Sequence, residues 1–187
     1  MAHGWEGNRI RLVPLEYDQH FENCLAWIND TETSEWLAQG DLPMTRLAEK
    51  EWFESVCVGR PGNIFFAIEL LNGTHIGNSS IHDINYLHGT ALTGSLIGAS
   101  NLRGQGYGTE AAQLRAWYCF HVLGLRLIKS SYLDGNFRSK QMQERSGYVE
   151  YGRVPQEFWK RGAYRDHILT LLTRERWMEL SGGNRQF

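Results

Sequence analysis

Apolar positions switch repeatedly between strand and helix spacing along the chain. Ile10-Arg-Leu-Val-Pro14 alternates as a strand and stops at proline. Asp18 to Asn29 then carries Phe21, Cys24, Leu25 and Ile28 at helical spacing, and Asn29-Asp30-Thr31 caps a second short helix that ends near Leu37. Gly40-Asp41-Leu-Pro43 breaks the chain before a third helix, capped by Thr45 and running to about Val58, which Gly59-Arg-Pro-Gly62 ends. From Asn63 the period shortens. Ile64 to Leu71 and His75 to Ile84 read as a hairpin about Leu71-Asn-Gly-Thr74, and Ala91 to Ile97 adds a third strand to the meander. A helix from Thr109 to Val122, with Leu114, Trp117, Tyr118 and Val122 on one face, restores the longer period and stops at Leu123-Gly124. The remainder reads as a strand from Arg126 to Leu133, a helix from Phe137 to Arg145 capped by Asn136, and strands from Tyr148 to Phe158 and Arg165 to Arg174.

Between the third meander strand and the helix at Thr109 lies Leu92-Thr-Gly-Ser-Leu-Ile-Gly-Ala-Ser-Asn-Leu-Arg-Gly-Gln-Gly-Tyr-Gly-Thr-Glu-Ala-Ala112. A strand, a glycine-rich turn and a helix start in that order build an anion site. Glycines at 104, 106 and 108 allow a tight bend and close approach, and the unpaired N–H groups of the first helical turn face whatever sits there. A strand, a crossover helix and another strand imply parallel pairing, so the sheet is mixed, with the turn at the carboxyl end of a strand.

Composition narrows the classes. The 187 residues suit one domain with a full core, and seven tryptophans with 42% hydrophobic residues exclude a disordered chain. Mean hydropathy is -0.43. A net charge of -2 without a basic block argues against nucleic acid as the main ligand. Cys24, Cys57 and Cys119 form no C-x-x-C pair, so neither a disulfide framework nor a zinc site is suggested, and a cytoplasmic location without a membrane segment is expected. Residues 179–187 read as a polar, disordered tail beyond a core of about residues 8–178. A dinucleotide fold fails for want of Gly-x-Gly-x-x-Gly after an N-terminal strand, and a P-loop fails for want of Gly-Lys-Ser/Thr.

Arg103-x-x-Gly106-x-Gly108 followed by Thr109-Glu110-Ala111 resembles the acyl-CoA pyrophosphate loop of the GNAT superfamily of N-acetyltransferases. Asn136-Phe-Arg-Ser139, Gly147-Tyr148 and Gly162-Ala-Tyr-Arg-Asp166 extend the likeness to the branch with the RimJ/RimL-type ribosomal-protein and the spermidine N-acetyltransferases. The resemblance implies an α/β (α+β) GNAT fold: one domain with a mixed, mostly antiparallel sheet of about six to seven strands, flanked by helices and splayed at the acyl-CoA site. It implies acetyl-CoA as co-substrate, no metal, and transfer to a primary amine by direct attack in a ternary complex. Leu96, Ile97 and Gly98 would pair with the pantetheine arm, Arg103, Gly104, Gln105, Gly106, Tyr107, Gly108 and Thr109 would hold the pyrophosphate, and Asn136 would bond the cofactor arm. Arg103 would add a charge-assisted bond.

The catalytic groups are sparser. Many members carry a tyrosine acid seven residues after the helix-opening Asn, and here that position is Gln143. The branch implies Ser139 in its place, against its plain role in a first helical turn. For the base, the branch implies a Glu on the next strand. Phe158 occupies that position and Glu157 stands beside it, which matches only if a bulge shifts the register. Asp83 is a second candidate, through a water, and the spacing of His82 and His88 about it fits no metal pattern. Glu35 and Trp36, with Glu32 and Asp41, would form a negative acceptor wall for a cationic amine. Arg138 is the cation available to a longer, charged acyl donor. A small-molecule amine, among them a polyamine, an amino sugar or an aminoglycoside-like antibiotic, and a protein N-terminus all remain open as acceptor, as does a homodimer. The alternative class is a non-catalytic acyl-CoA-binding or regulatory module, for which the missing tyrosine speaks.

Overall fold

The computed structural model describes residues 5–38, 40–59 and 61–185. An eight-stranded sheet runs in the order β1-β2-β3-β4-β5-β6-β8-β7. Its strands are β1 (Trp5–Glu6), β2 (Ile10–Pro14), β3 (Ile64–Leu70), β4 (His75–Asn85), β5 (Thr90–Ile97), β6 (Leu127–Leu133), β7 (Val149–Lys160) and β8 (Ala163–Thr173). All neighbours pair antiparallel except β5 and β6. The strand beyond the expected count is β1, whose two residues are too short to show a period but pair Trp5 with Leu12.

The helices are α1 (Tyr17–Asn29), α2 (Thr31–Ser34), α3 (Arg46–Cys57), α4 (Tyr107–Trp117), α5 (Phe137–Arg145) and α6 (Arg174–Ser181). Short side chains capping backbone N–H groups fix their starts: Asp30 accepts from Thr33, Thr45 from Ala48, and Asn136 from Ser139. α4 begins at Tyr107 rather than Thr109, because Gly106 in the left-handed region serves as its N-cap, and beyond Trp117 it widens into a π-helical turn over Tyr118–Val122. The expected tail is corrected at its start. Glu179–Ser181 belongs to α6, which Thr173 caps and which Trp177 anchors by packing at 5.3 Å on Phe120. Gln186 and Phe187 at the end of that tail, and Arg60 in the turn before β3, lie outside the described residues.

The sheet has two covered faces. On one, Phe66, Ile68, Ile76 and Ile81 meet Ala111, Leu114 and Ala116 of α4, whose small residues allow close approach. On the other, Val13, Leu15 and Ala67 meet Phe21 and Cys24 of α1 and Phe53 and Val56 of α3.

Candidate active site

β5 and β6 pair only at Thr90 with Leu127, Ala91 with Ile128 and Leu92 with Lys129, then part, β5 following β4 and β6 following β8. The vertex is braced. Thr93 Oγ1 donates to the Lys129 carbonyl at 2.9 Å, which leaves it to accept from the buried Tyr148 hydroxyl at 3.1 Å. Below the vertex opens a cavity of about 830 Å3 lined by both diverging strands, the glycine turn, α5 and the α1/α3 face.

Gly104 and Gly106 adopt φ of +76° and +89°, a region closed to most side chains, and so aim the start of α4 into the cavity. The first helical bond runs from the Glu110 N–H to the Gly106 carbonyl at 3.0 Å, and the N–H groups of Tyr107, Gly108 and Thr109 have no partner among the described residues. Three such donors at a positive helix end fit a pyrophosphate. The turn is fastened from behind by Glu110, whose carboxylate accepts from the backbone of Arg9 at 2.7 Å and of Ile10 at 3.3 Å and from the Arg9 guanidinium at 2.9 Å. Gln105 faces away, its amide donating to Asn101 and its carbonyl accepting from Arg9.

Arg103 is not aimed at a phosphate. Its guanidinium donates to the carbonyls of Ile97 at 2.9 Å and Gly98 at 3.0 Å and to the Thr33 hydroxyl, a set of neutral oxygens that pins the end of β5 to α2. The pairing expected of Leu96 and Gly98 is corrected as well. The Gly98 N–H donates to Ile76 at 2.9 Å, so the alternating antiparallel ladder turns Leu96 inward to β4 and leaves Ser95 and Ile97 facing the cleft. Asn136 spends its side-chain oxygen on the α5 cap, which leaves its amide N–H groups to the cavity it lines.

Gln143, at the tyrosine position, is buried. Its amide donates to the Ser131 carbonyl at 3.0 Å and to Ser139 Oγ at 3.3 Å, while its oxygen accepts from Thr170. Ser139 Oγ therefore accepts from Gln143 and keeps its own hydrogen for a partner in the cavity.

β7 carries a bulge before Phe158, but Phe158 still lines the cavity and Glu157 is exposed outside the lining, so the shift that the Glu157 match requires is not made. The register shifts between Val154 and Phe158, Gln156 has φ of +51°, and its N–H donates to the Asp166 carboxylate at 2.9 Å. The distortion sets Glu157 beside His167, with Oε2 2.6 Å from Nδ1, and His167 and Phe158 both line the cavity. Asp83 sits elsewhere. It is exposed on a bulge at the end of β4 with φ of +49°, outside the lining, whereas its neighbour His82 lines the cavity against Phe65 at a ring distance of 5.0 Å. Burial holds the His82 imidazole below its usual pKa.

The negative acceptor wall is largely spent. Asp41 pairs with Lys160 at 2.6 Å and Arg161 at 3.0 Å, and these bonds, first that to Lys160, hold its carboxyl below the usual range. Glu35 lies outside the lining, and Arg165 stands 5.8 Å above the Trp36 ring, on a face expected to receive the substrate cation. Glu32 and Arg138 do line the cavity. Among the described residues no group of three or more His, Cys, Asp or Glu side chains could hold a metal, and no helix is long and apolar enough to cross a membrane.

Two lining groups escaped the sequence, His167 and Glu49, and His82 was weighed there only as a metal ligand. Glu49 had a readable signal, since Phe53 and Val56 at spacings of four and seven place it on the buried face of α3.

The comparisons agree with this architecture. YdaF of Bacillus subtilis (strain 168), provisionally named a ribosomal N-acetyltransferase, is 27% identical over 108 residues, 58% of this chain and 58% of that protein. The spermidine N(1)-acetyltransferase of Vibrio cholerae serotype O1 is 29% identical over 101 residues, 54% of this chain and 58% of the relative. The chain thus aligns with little more than half the length of these curated relatives. A crystal structure of the Vibrio cholerae spermidine N-acetyltransferase with CoA and spermine superposes at a TM-score of 0.81, covering 90% of this chain and 98% of that one at 22% identity, a likeness of fold. Residues 9–149, from the start of β2 to the first residue of β7, match the acetyltransferase (GNAT) domain. With that match spanning the splayed strands, the glycine turn and α5, the chain belongs to the GNAT family of acetyltransferases.

Proposed function

We propose that the protein transfers the acetyl group of acetyl-CoA to a primary amine, of a small molecule or a protein N-terminus, with both substrates bound together. The observation that carries this is one cavity joining the unpaired N–H groups of Tyr107, Gly108 and Thr109 to the α1/α3 face, with Ser139 and His167 in its lining. Bound acetyl-CoA supplies an activated thioester and departs as a thiol.

The α4 N–H groups hold the phosphates, and the cleft-facing backbone of Ser95 and Ile97, with the Asn136 amide, holds the arm. Ser139 donates its hydroxyl hydrogen to the departing sulfur, with Gln143 fixing the direction. His167 receives the amine proton, and Glu157 orients its ring. Glu32 and Glu49 are the carboxylates that line the cavity among the described residues, which favours a monoamine or a chain terminus over a polyamine.

Titrating acetyl-CoA calorimetrically and measuring thiol release over a panel of amines tests the reading. Binding with turnover on at least one monoamine is expected. Binding without turnover on any amine would instead favour the non-catalytic acyl-CoA module.

A further inference from the structure

Glu49, Glu69 and Glu110 are each 5% exposed. Two of them are matched: Glu69 pairs with Arg11 at 2.7 Å and His20 at 3.1 Å, and Glu110 pairs with Arg9 at 2.9 Å. The Glu49 carboxylate has neither hydrogen bond nor ion pair among the described residues, and it is the one of the three that lines the large cavity. The Glu49 oxygens keep some contact with solvent at the cavity wall, but a carboxylate on a side chain only 5% exposed with no cation beside it is costly, and a solvated surface of α3 was available one helical step away.

Its surroundings are apolar. Cys24, Ile28 and Met44 line the cavity with it, and Trp52, one helical turn on, meets Phe65 edge-on at 5.9 Å, with the His82 ring 5.0 Å from Phe65. Cys24 lies within electrostatic reach of Glu49 and accepts from Asn78, which pairs with Leu96 of β5, so the carboxylate stands on the acceptor side of the strand that borders the cofactor cleft. Burial raises its pKa, as desolvation does where no cation compensates. A charged partner arriving from solution supplies what the fold omits.

We infer that Glu49 anchors a cationic nitrogen of the acceptor, and that the aromatic walls beside it select an amine with an apolar body over a polyamine. This rests on the acetyl-transfer reading and names the acceptor class for it. Glu49 matches one positive charge and Glu32, the other carboxylate of the lining, at most one more, fewer than an extended polyamine carries, and Trp52 and Phe65 give an apolar body a surface that an extended polycation cannot use.

The test is calorimetric titration of 2-phenylethylamine and of spermidine into the CoA-saturated protein, for the wild type and for Glu49→Gln and Glu49→Asp. The wild type is expected to bind 2-phenylethylamine at least about tenfold more tightly than spermidine. Glu49→Gln should weaken the 2-phenylethylamine affinity at least about tenfold with CoA affinity unchanged and Tm raised, and Glu49→Asp should restore part of the loss. Tighter binding of spermidine, no binding of either amine, or an affinity indifferent to Glu49→Gln overturns the inference. The raised Tm separates a lost anchor from a misfolded protein. Because titration reads binding alone, bound amine without thiol release refutes acetyl transfer and leaves the anchor standing.

Discussion

The Trp27 indole lies against the α-carbon of Gly98, so close that a β-carbon there would fall 1.9 Å from its Cδ2 atom. α1 is thereby seated on the end of β5 at the rim of the cleft, and the indole also meets His75 at a ring distance of 4.6 Å. A glycine that reads as part of a phosphate-binding stretch is thus needed for packing. Gly98→Ala should destabilise the fold by about 3 kcal/mol, because the facing group is a bulky indole that the added methyl would overlap. Trp27→Leu should recover part of that loss in the double variant, as denaturant unfolding of the four-protein cycle will show.

Acid should loosen the same region. Burial pushes the His75 pKa from 6.5 down to about 4. Between those values the unfolded chain binds more protons than the folded one, so the stability is complete above the unfolded pKa and is lost as pH falls from 6.5 towards 4. The full window is worth about 3 kcal/mol. Urea unfolding at stepped pH should show this slope in the wild type, and His75→Asn should flatten it.

Glu110→Ala should strand the Arg9 and Ile10 N–H groups that its carboxylate now satisfies. The expected cost is about 3 kcal/mol, accompanied by weaker acetyl-CoA binding, because β2 no longer fastens the first turn of α4. Thermal unfolding and calorimetric titration read the two effects separately.

Ser139→Ala should lower kcat about 100-fold with the KM for acetyl-CoA nearly unchanged, since Asn136 caps α5 through the Ser139 backbone and not its hydroxyl. A variant with wild-type kcat would remove Ser139 from the reaction.

His167→Gln should remove the acidic limb, the fall at low pH where the base is protonated, from the pH dependence of kcat/KM, whereas Glu157→Gln should lower kcat and keep that limb, because the imidazole remains. Profiles unchanged in both variants would exclude the pair.

Much of this fold was legible wherever a residue acts on its own neighbourhood. Thr45, Asp30 and Asn136 cap helices through bonds that span three residues, and strands such as β4 and β8 follow their alternation. Elements whose existence depends on distant partners were not. α6 carries little apolar period and is held by the docking of Trp177 on Phe120, fifty-odd residues away. In the site, the glycine turn was readable, but the ladder phase at Leu96 and Gly98 and the aim of side chains were not. The glycines located the anion turn, but Arg103 has a flexible stem whose direction is set by carbonyls at Ile97 and Gly98 and by Thr33 on another element. Asp41 similarly promised charge to a substrate and delivers it to Lys160 and Arg161. Glu157 stays one register step out of the cavity, with Phe158 in the lining, and touches the site only through His167 beside the bulge that Asp166 holds.

The brief pairing of β5 with β6 has a mechanical consequence. Strands β1 to β5 and strands β6 to β8 form two slabs sewn together by three rungs and the Thr93–Tyr148 brace, so amides along the open seam at Ser95 and Ile97 should exchange with solvent long before those of β4. A cofactor arm lying in that seam completes the stitching, which makes the ligand a structural tie as much as a reactant: occupancy should slow exchange across both slabs at once and raise their joint melting.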